Sequence, residues 1–137
     1  MIKFLFKLKT IFHVFNVFLI FLYVYPGSFL GCFIYSDCDF DPQITGNFFI
    51  SPNFSISSNH FYLFIIFSIL SIFAYKNDSR INILLLYLIF LSIFLEVLHL
   101  IIPVRAFELS DLCGNLFGVF IIILIYKILY KYSKSKK

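Results

Sequence analysis

The chain has 137 residues, of which 61% are hydrophobic, 22% aromatic and only 13% charged, with a mean hydropathy of +0.98. A soluble domain is roughly 45–50% apolar, so this composition excludes an ordinary globular enzyme and points to one all-α integral membrane bundle, partnered by the lipid bilayer. The net charge of +4 does not indicate nucleic acid. The basic residues stand at the ends of apolar runs, where they report membrane orientation.

Lys3, Lys7 and Lys9 precede an apolar run from Ile11 to Tyr35 that is broken by Pro26 and Gly27. About 20 residues cross a bilayer core, which predicts a first span over Ile11 to Leu30 with Pro26 loosening its outer end. Phe29-Leu30-Gly31-Cys32 loosely resembles a lipoprotein cleavage box ending at Cys32. The apolar run, however, exceeds the roughly 7–15 residues of a signal core, so the segment reads as a retained span. His13, near the inner end, reads as an interfacial histidine.

Residues Ser36 to Asn59 form a polar outer loop, expected to be irregular. Asp37, Asp39 and Asp41 alternate and could offer oxygen ligands to a hard cation, yet the fixed spacing and turn glycine of a calcium loop are missing. A solvated acidic loop is the favoured reading. Cys32 and Cys38 stand close enough in sequence to close a small loop in an oxidising compartment. Three cysteines in all leave one over.

A second span is expected over Phe61 to Tyr75, opened by His60 and short for a crossing. Lys76 to Arg80 makes a tight turn into a third span, Ile81 to Ile102, which Pro103 stops. A fourth, Leu112 to Tyr130, runs into the lysine-rich C-terminal tail. With the N-terminus inside, the inner segments hold ten basic residues and one acid, and the outer half one basic residue and six acids. The positive-inside rule then predicts four spans with both termini cytoplasmic.

That arrangement brings His60 and the polar stretch Glu96 to Gly118 to the outer face. Glu96 and His99 lie three apart on one helix and share a face. Asp111, Gly114, Asn115 and Gly118 share another, with the two glycines as a small-xxx-small packing pair. Ionisable groups beside a membrane span are expensive and by default mark a functional site. Arg105 offers a planar fork of donors suited to phosphate or carboxylate, with His60, Glu96 or Asp111 as proton-handling candidates. The purely structural alternative pairs Arg105 with Glu108 or Asp111 and makes Asp111 the N-cap of the fourth span. Zinc could in principle use His60, Glu96, His99 and Asp111, but neither an HExxH nor a CxxC spacing is present, so no metal or other cofactor is expected. Cys113 reads as a small apolar helix residue rather than a nucleophile.

Glu96, Pro103, Arg105, Asp111, Asn115 and Gly118, with His60-Phe61 and Phe64 upstream, resemble in order and spacing the VanZ-like family of small integral membrane proteins. The resemblance covers Asn59 to Ile123; the family usually carries Gln where this chain has His99. It implies a multi-pass protein of the bacterial cell (inner) membrane with a role at the cell envelope and a link to antibiotic resistance of the teicoplanin glycopeptide type. The corresponding expectation is an outer polar site, formed by His60, Glu96, His99, Arg105, Asp111 and Asn115, that binds an anionic lipid or lipoglycopeptide headgroup. A membrane enzyme acting on a phospholipid or polyprenyl-phosphate intermediate, and a plain structural subunit, are the alternatives.

Overall fold

The structure, a computed structural model, describes residues 2–40, 42, 45–51 and 53–136. Asp41, the third of the alternating loop carboxylates, and Lys137 lie outside the described residues. Four helices dominate: α1 (Ile2–Val24), α2 (Ser58–Tyr75), α3 (Ile81–Leu98) and α4 (Leu109–Ser135). All four are long and apolar enough to cross a membrane. α2 and α3 have 18 residues each, or about 27 Å at the α-helical rise, against a hydrocarbon core of about 30 Å. The second span is therefore longer than the apolar run alone suggests, because Ser58, Asn59 and His60 already belong to the helix.

The helix ends differ from the expected spans for local reasons. α1 begins within the lysine-bearing segment and stops at Val24, not Leu30. The residue before a proline avoids the α region, and beyond Pro26 the chain turns through Gly27 at φ +83°, a conformation open to glycine. Gly31–Tyr35 then forms one π-helical turn. α3 ends at Leu98, not Ile102. His99, Leu100 and Ile101 instead donate backbone bonds to the carbonyls three residues back, the tighter winding that often closes a helix. α4 starts earlier and ends later than expected, since the lysine-rich tail continues the helix.

The loop between α1 and α2, expected to be irregular, contains an antiparallel hairpin of β1 (Phe48–Ser51) and β2 (Phe54–Ile56), in register Phe48 with Ile56 and Ser51 with Phe54. It is tied down onto α2: the Phe48 ring meets those of Phe61 and Tyr62 edge-on, and Ser58 Oγ donates to the Thr45 carbonyl at 2.7 Å. A disulfide joins Cys32 to Cys38, so the loop spacing read from the sequence is realised as a covalent link. Asp37 and Asp39 are exposed, and Asp37 Oδ1 accepts the Asp39 N–H at 3.0 Å.

The core runs along the bundle axis through Phe12, Leu19, Phe64, Phe67, Leu88, Leu95 and Val119. Val17, Phe18 and Phe21 on α1, and Phe120, Leu124 and Ile128 on α4, are exposed instead, an outward apolar surface larger than soluble monomers carry. At the end of the bundle shared by α1's first turns and the α2–α3 turn, Asp78 takes Lys9 and a bidentate Arg80 fork with both nitrogens at 3.0 Å. The Arg80 guanidinium first, and then Lys9, hold the Asp78 carboxyl well below the usual carboxylate range.

The tightest helix pair is α2 with α4. A Cβ added at Gly114 would lie 2.6 Å from the Ser57 carbonyl oxygen, and one at Gly118 would lie 2.7 Å from that of Phe61. The obstacle in each case is backbone, which cannot rotate away. Gly118→Ala should therefore destabilise the purified protein by about 1–3 kcal/mol, the usual cost of overpacking. Thermal unfolding in detergent checks this, and an unchanged midpoint would show that the two helices can separate freely.

Candidate functional site

Four antiparallel helices put the C-terminus of α1, the N-terminus of α2, the C-terminus of α3 and the N-terminus of α4 at one end. Tyr23, His60, Glu96 with His99, and Asp111 with Asn115 meet there. All the expected site residues are thus gathered at one end, and the observed network also includes Tyr23 and the Ser92 carbonyl.

Asn115 orders this network. It is fully buried, and its Nδ2 donates to the Ser92 carbonyl at 3.2 Å, which fixes the opposite end of the amide as Oδ1. The Tyr23 hydroxyl donates its one proton to that oxygen at 2.7 Å. Tyr23 Oη is then left to accept from His60 Nδ1–H at 2.9 Å, with Asn115 Oδ1 a second acceptor at 3.2 Å. The bonding pattern assigns the proton to Nδ1. His60 Nε2 therefore faces Asp111 Oδ2, 3.3 Å away.

Glu96 has no exposed surface. Its Oε1 accepts the Glu108 N–H, just ahead of α4, at 3.0 Å, and lies 3.3 Å from His99 Nδ1. A carboxylate placed at a helix N-terminus is favoured by the helix dipole. The other oxygen, Oε2, has no hydrogen-bond partner among the described residues. His99, buried beside it, reaches the Tyr23 carbonyl through Nε2 at 3.2 Å and stacks on the Tyr23 ring at 5.5 Å. The shared helix face expected for Glu96 and His99 is what allows this contact.

Two structural expectations are corrected. Asp111 is not the N-cap of α4. The helix starts at Leu109 with Glu108 in the cap position, and Asp111 sits in the first turn, where His60 rather than its own backbone occupies it. Arg105 pairs with neither Glu108 nor Asp111. Its Nε and Nη2 donate to the carbonyls of Tyr25 and Leu22, each at 3.3 Å, satisfying carbonyls that α1 leaves open at its end. No carboxylate lies within ion-pair distance of Arg105 among the described residues.

A cavity of about 190 Å³ opens beside the network, with Asn59, His60, His99 and Arg105 on its polar wall and Phe29, Leu30 and Leu63 on its apolar one. Cys113 is half-buried with a free thiol. Tyr23 was the residue hardest to find from the sequence, being one aromatic among many. The available signal was that a tyrosine hydroxyl inside an apolar helix needs a partner. No family model matches the chain, and neither a curated protein nor a solved structure gives a significant match.

Tyr23→Phe removes both the donor to Asn115 and the acceptor for His60, leaving buried polar atoms unmatched. It should cost about 1–3 kcal/mol of stability. Tyr87→Phe, which breaks one half-buried bond to Asn16, should cost about 0.5–1.5 kcal/mol. Unfolding midpoints of the two variants in the same detergent make the comparison; a Tyr23→Phe protein as stable as wild type would remove this network from the forces holding the bundle.

Proposed function

We propose that this chain is a VanZ-like protein of the bacterial inner membrane, with both termini in the cytoplasm, whose outward polar end binds the anionic headgroup of a lipid or lipoglycopeptide. The observation that carries the reading is Arg105: a cation on the wall of a partly apolar cavity, held in place by backbone carbonyls and paired with no carboxylate among the described residues. Its charge is left for an anion to answer. The cavity, about 190 Å³, is smaller than the roughly 300–1,000 Å³ of sites that enclose a whole drug-sized ligand. It fits a headgroup whose chains remain outside, along the exposed apolar helices.

The orientation draws on two independent features. In the sequence ten of the eleven basic residues belong to the segments that the positive-inside rule assigns to the inner side, and the Cys32–Cys38 disulfide lies at the site's end, consistent with the oxidising side of a membrane. A C-terminal fusion to green fluorescent protein should fluoresce and one to alkaline phosphatase should be inactive. The reverse pattern would turn the polar end toward the cytoplasm and end the envelope reading.

The functional test is teicoplanin susceptibility of a sensitive bacterium expressing wild type, Arg105→Ala, Asp111→Ala or Glu96→Gln, with membrane protein quantified in each strain. Protection by wild type that is lost in Arg105→Ala and Asp111→Ala at equal protein level is the expected result. No protection by well-expressed wild type would detach the chain from this activity. A second reading, a membrane enzyme acting on a phospholipid or polyprenyl-phosphate intermediate, gains from one feature: His60 borders both the cavity and the two carboxylates, a position from which a proton can be relayed. Under that reading Glu96→Gln abolishes function while the protein level in the membrane stays normal. A structural subunit would lose function only in proportion to its level.

A further inference from the structure

We infer that His60, Glu96 and Asp111 form a binding site for one small divalent cation of the zinc or manganese class. Their sequence positions follow no ligand motif, because the three come from α2, α3 and α4 and are joined only by the fold. In the structure one ligand-capable atom from each lies within 4.8 Å of the others. His60 Nε2 and Asp111 Oδ2, at 3.3 Å, are spaced like neighbouring ligands on a centre with bonds of about 2.0–2.2 Å.

Three further observations point to a cation. Glu96 is fully buried, and its Oε2 has no hydrogen-bond partner among the described residues; its other oxygen is occupied by Glu108 N–H and His99. His60 is arranged as a ligand: its Nδ1–H is held by Tyr23 Oη and Asn115 Oδ1, the outer-shell bond that commonly fixes the tautomer of a metal-binding histidine. Nε2 is thereby the ring nitrogen turned toward a carboxylate oxygen. At that distance a positive centre, a proton or a metal ion, must lie between the two atoms, and the nearest guanidinium, Arg105, is engaged with α1 carbonyls.

The donor set names the class of ion. One imidazole nitrogen with two carboxylates suits zinc, manganese or iron better than the all-oxygen preference of calcium and magnesium, and without thiolate it does not select a soft metal. The remaining coordination positions would lie next to the cavity that His60 also lines. The inference does not rest on the headgroup reading, since it concerns the protein and the metal alone.

The test uses the full chain purified in detergent, stripped with chelator, loaded with Zn²⁺ and freed of excess by gel filtration. Metal content by mass spectrometry should approach one equivalent per chain, and Co²⁺ should give a visible absorption band that Zn²⁺ displaces. Glu96→Gln and Asp111→Asn should both lose the ion. Tyr23→Phe should bind about 10–100-fold more weakly, as outer-shell changes do, and Asp37→Asn on the acidic loop should bind normally. Zn²⁺ should also raise the unfolding midpoint of wild type and chelator reverse it, a readout that needs no variant to fold. Wild type that retains no metal and shows no shift would overturn the inference and leave a shared proton in its place. Retention by Glu96→Gln and Asp111→Asn with loss in Asp37→Asn would overturn it too, moving the ion to the loop. No lipid or glycopeptide is present, so failure here and failure in the susceptibility assay remain distinguishable.

Discussion

A carboxylate with no exposed surface, Glu96, is the constraint to which the polar end of this bundle answers. Removing an ionised carboxylate from water costs several kcal/mol even after relaxation, a large share of the roughly 5–15 kcal/mol that separates folded from unfolded protein. Its surroundings are arranged accordingly. The Glu108 N–H at the start of α4 approaches one oxygen and His99 lies beside it. Asn115 and Tyr23, one step further out, orient the histidine that faces the second carboxylate. An apolar residue of similar volume at that position would be cheaper, so the contacts Glu96 makes to the start of α4 and to His99 come at a cost in stability.

Asp111 can meet His60 only because α2 and α4 nearly touch. His60 is one helical turn from Phe64, and Asp111 and Asn115 alternate with Gly114 and Gly118 along α4. The glycines let the backbone of α2 sit where Cβ atoms would otherwise be, which draws His60 in to 3.3 Å from Asp111. In a bilayer the hydrophobic effect does little to press helices together, so close backbone approach and interhelical polar contacts carry more of the association. Packing and site chemistry thus share one surface of α4, and the alternation of small and polar residues there serves both.

The four helices and the meeting of the polar residues at one end were legible because they rest on patterns with strong physical causes: apolar runs of bilayer length, and charge concentrated where lipid would make it costly. What escaped was set by three-dimensional neighbours. Pro26 and Pro103 were visible as breakers, but that α1 would stop at Val24 rather than run past Pro26 to Leu30, and α3 at Leu98 rather than Ile102, depended on turns that tertiary contacts stabilise, such as Ser28 N–H to the Cys38 carbonyl. The hairpin at 48–56 was missed because its strands are short and rely on Phe61 and Tyr62 for cover. Arg105 reads in the sequence as an anion-binding residue, and it is the structural alternative that pairs it with Glu108 or Asp111, contacts that the structure does not contain among the described residues. Its nearest acceptors are main-chain carbonyls of α1, some 80 positions earlier in the chain, and no sequence spacing encodes them. Metal ligation was set aside for want of a motif, a criterion that reads ligands sharing a helix and is blind to three helices that bring one ligand-capable residue each.

The two ends of the molecule show how the same residue types acquire different roles. At the basic end Asp78 is met by Lys9 and by both arms of Arg80, so its charge is cancelled on the spot and the group closes a turn. At the polar end Glu96 and Asp111 have no lysine or arginine within ion-pair distance among the described residues, while the one cation nearby, Arg105, has no acid. Satisfied charge locks structure; carboxylates and a guanidinium gathered at one end without pairing with one another do not, and they are retained at a cost in stability. An anion beside Arg105, on the cavity wall, and a cation among His60, Glu96 and Asp111 would each remove part of that cost, and His60, which belongs to both groups of residues, would join them.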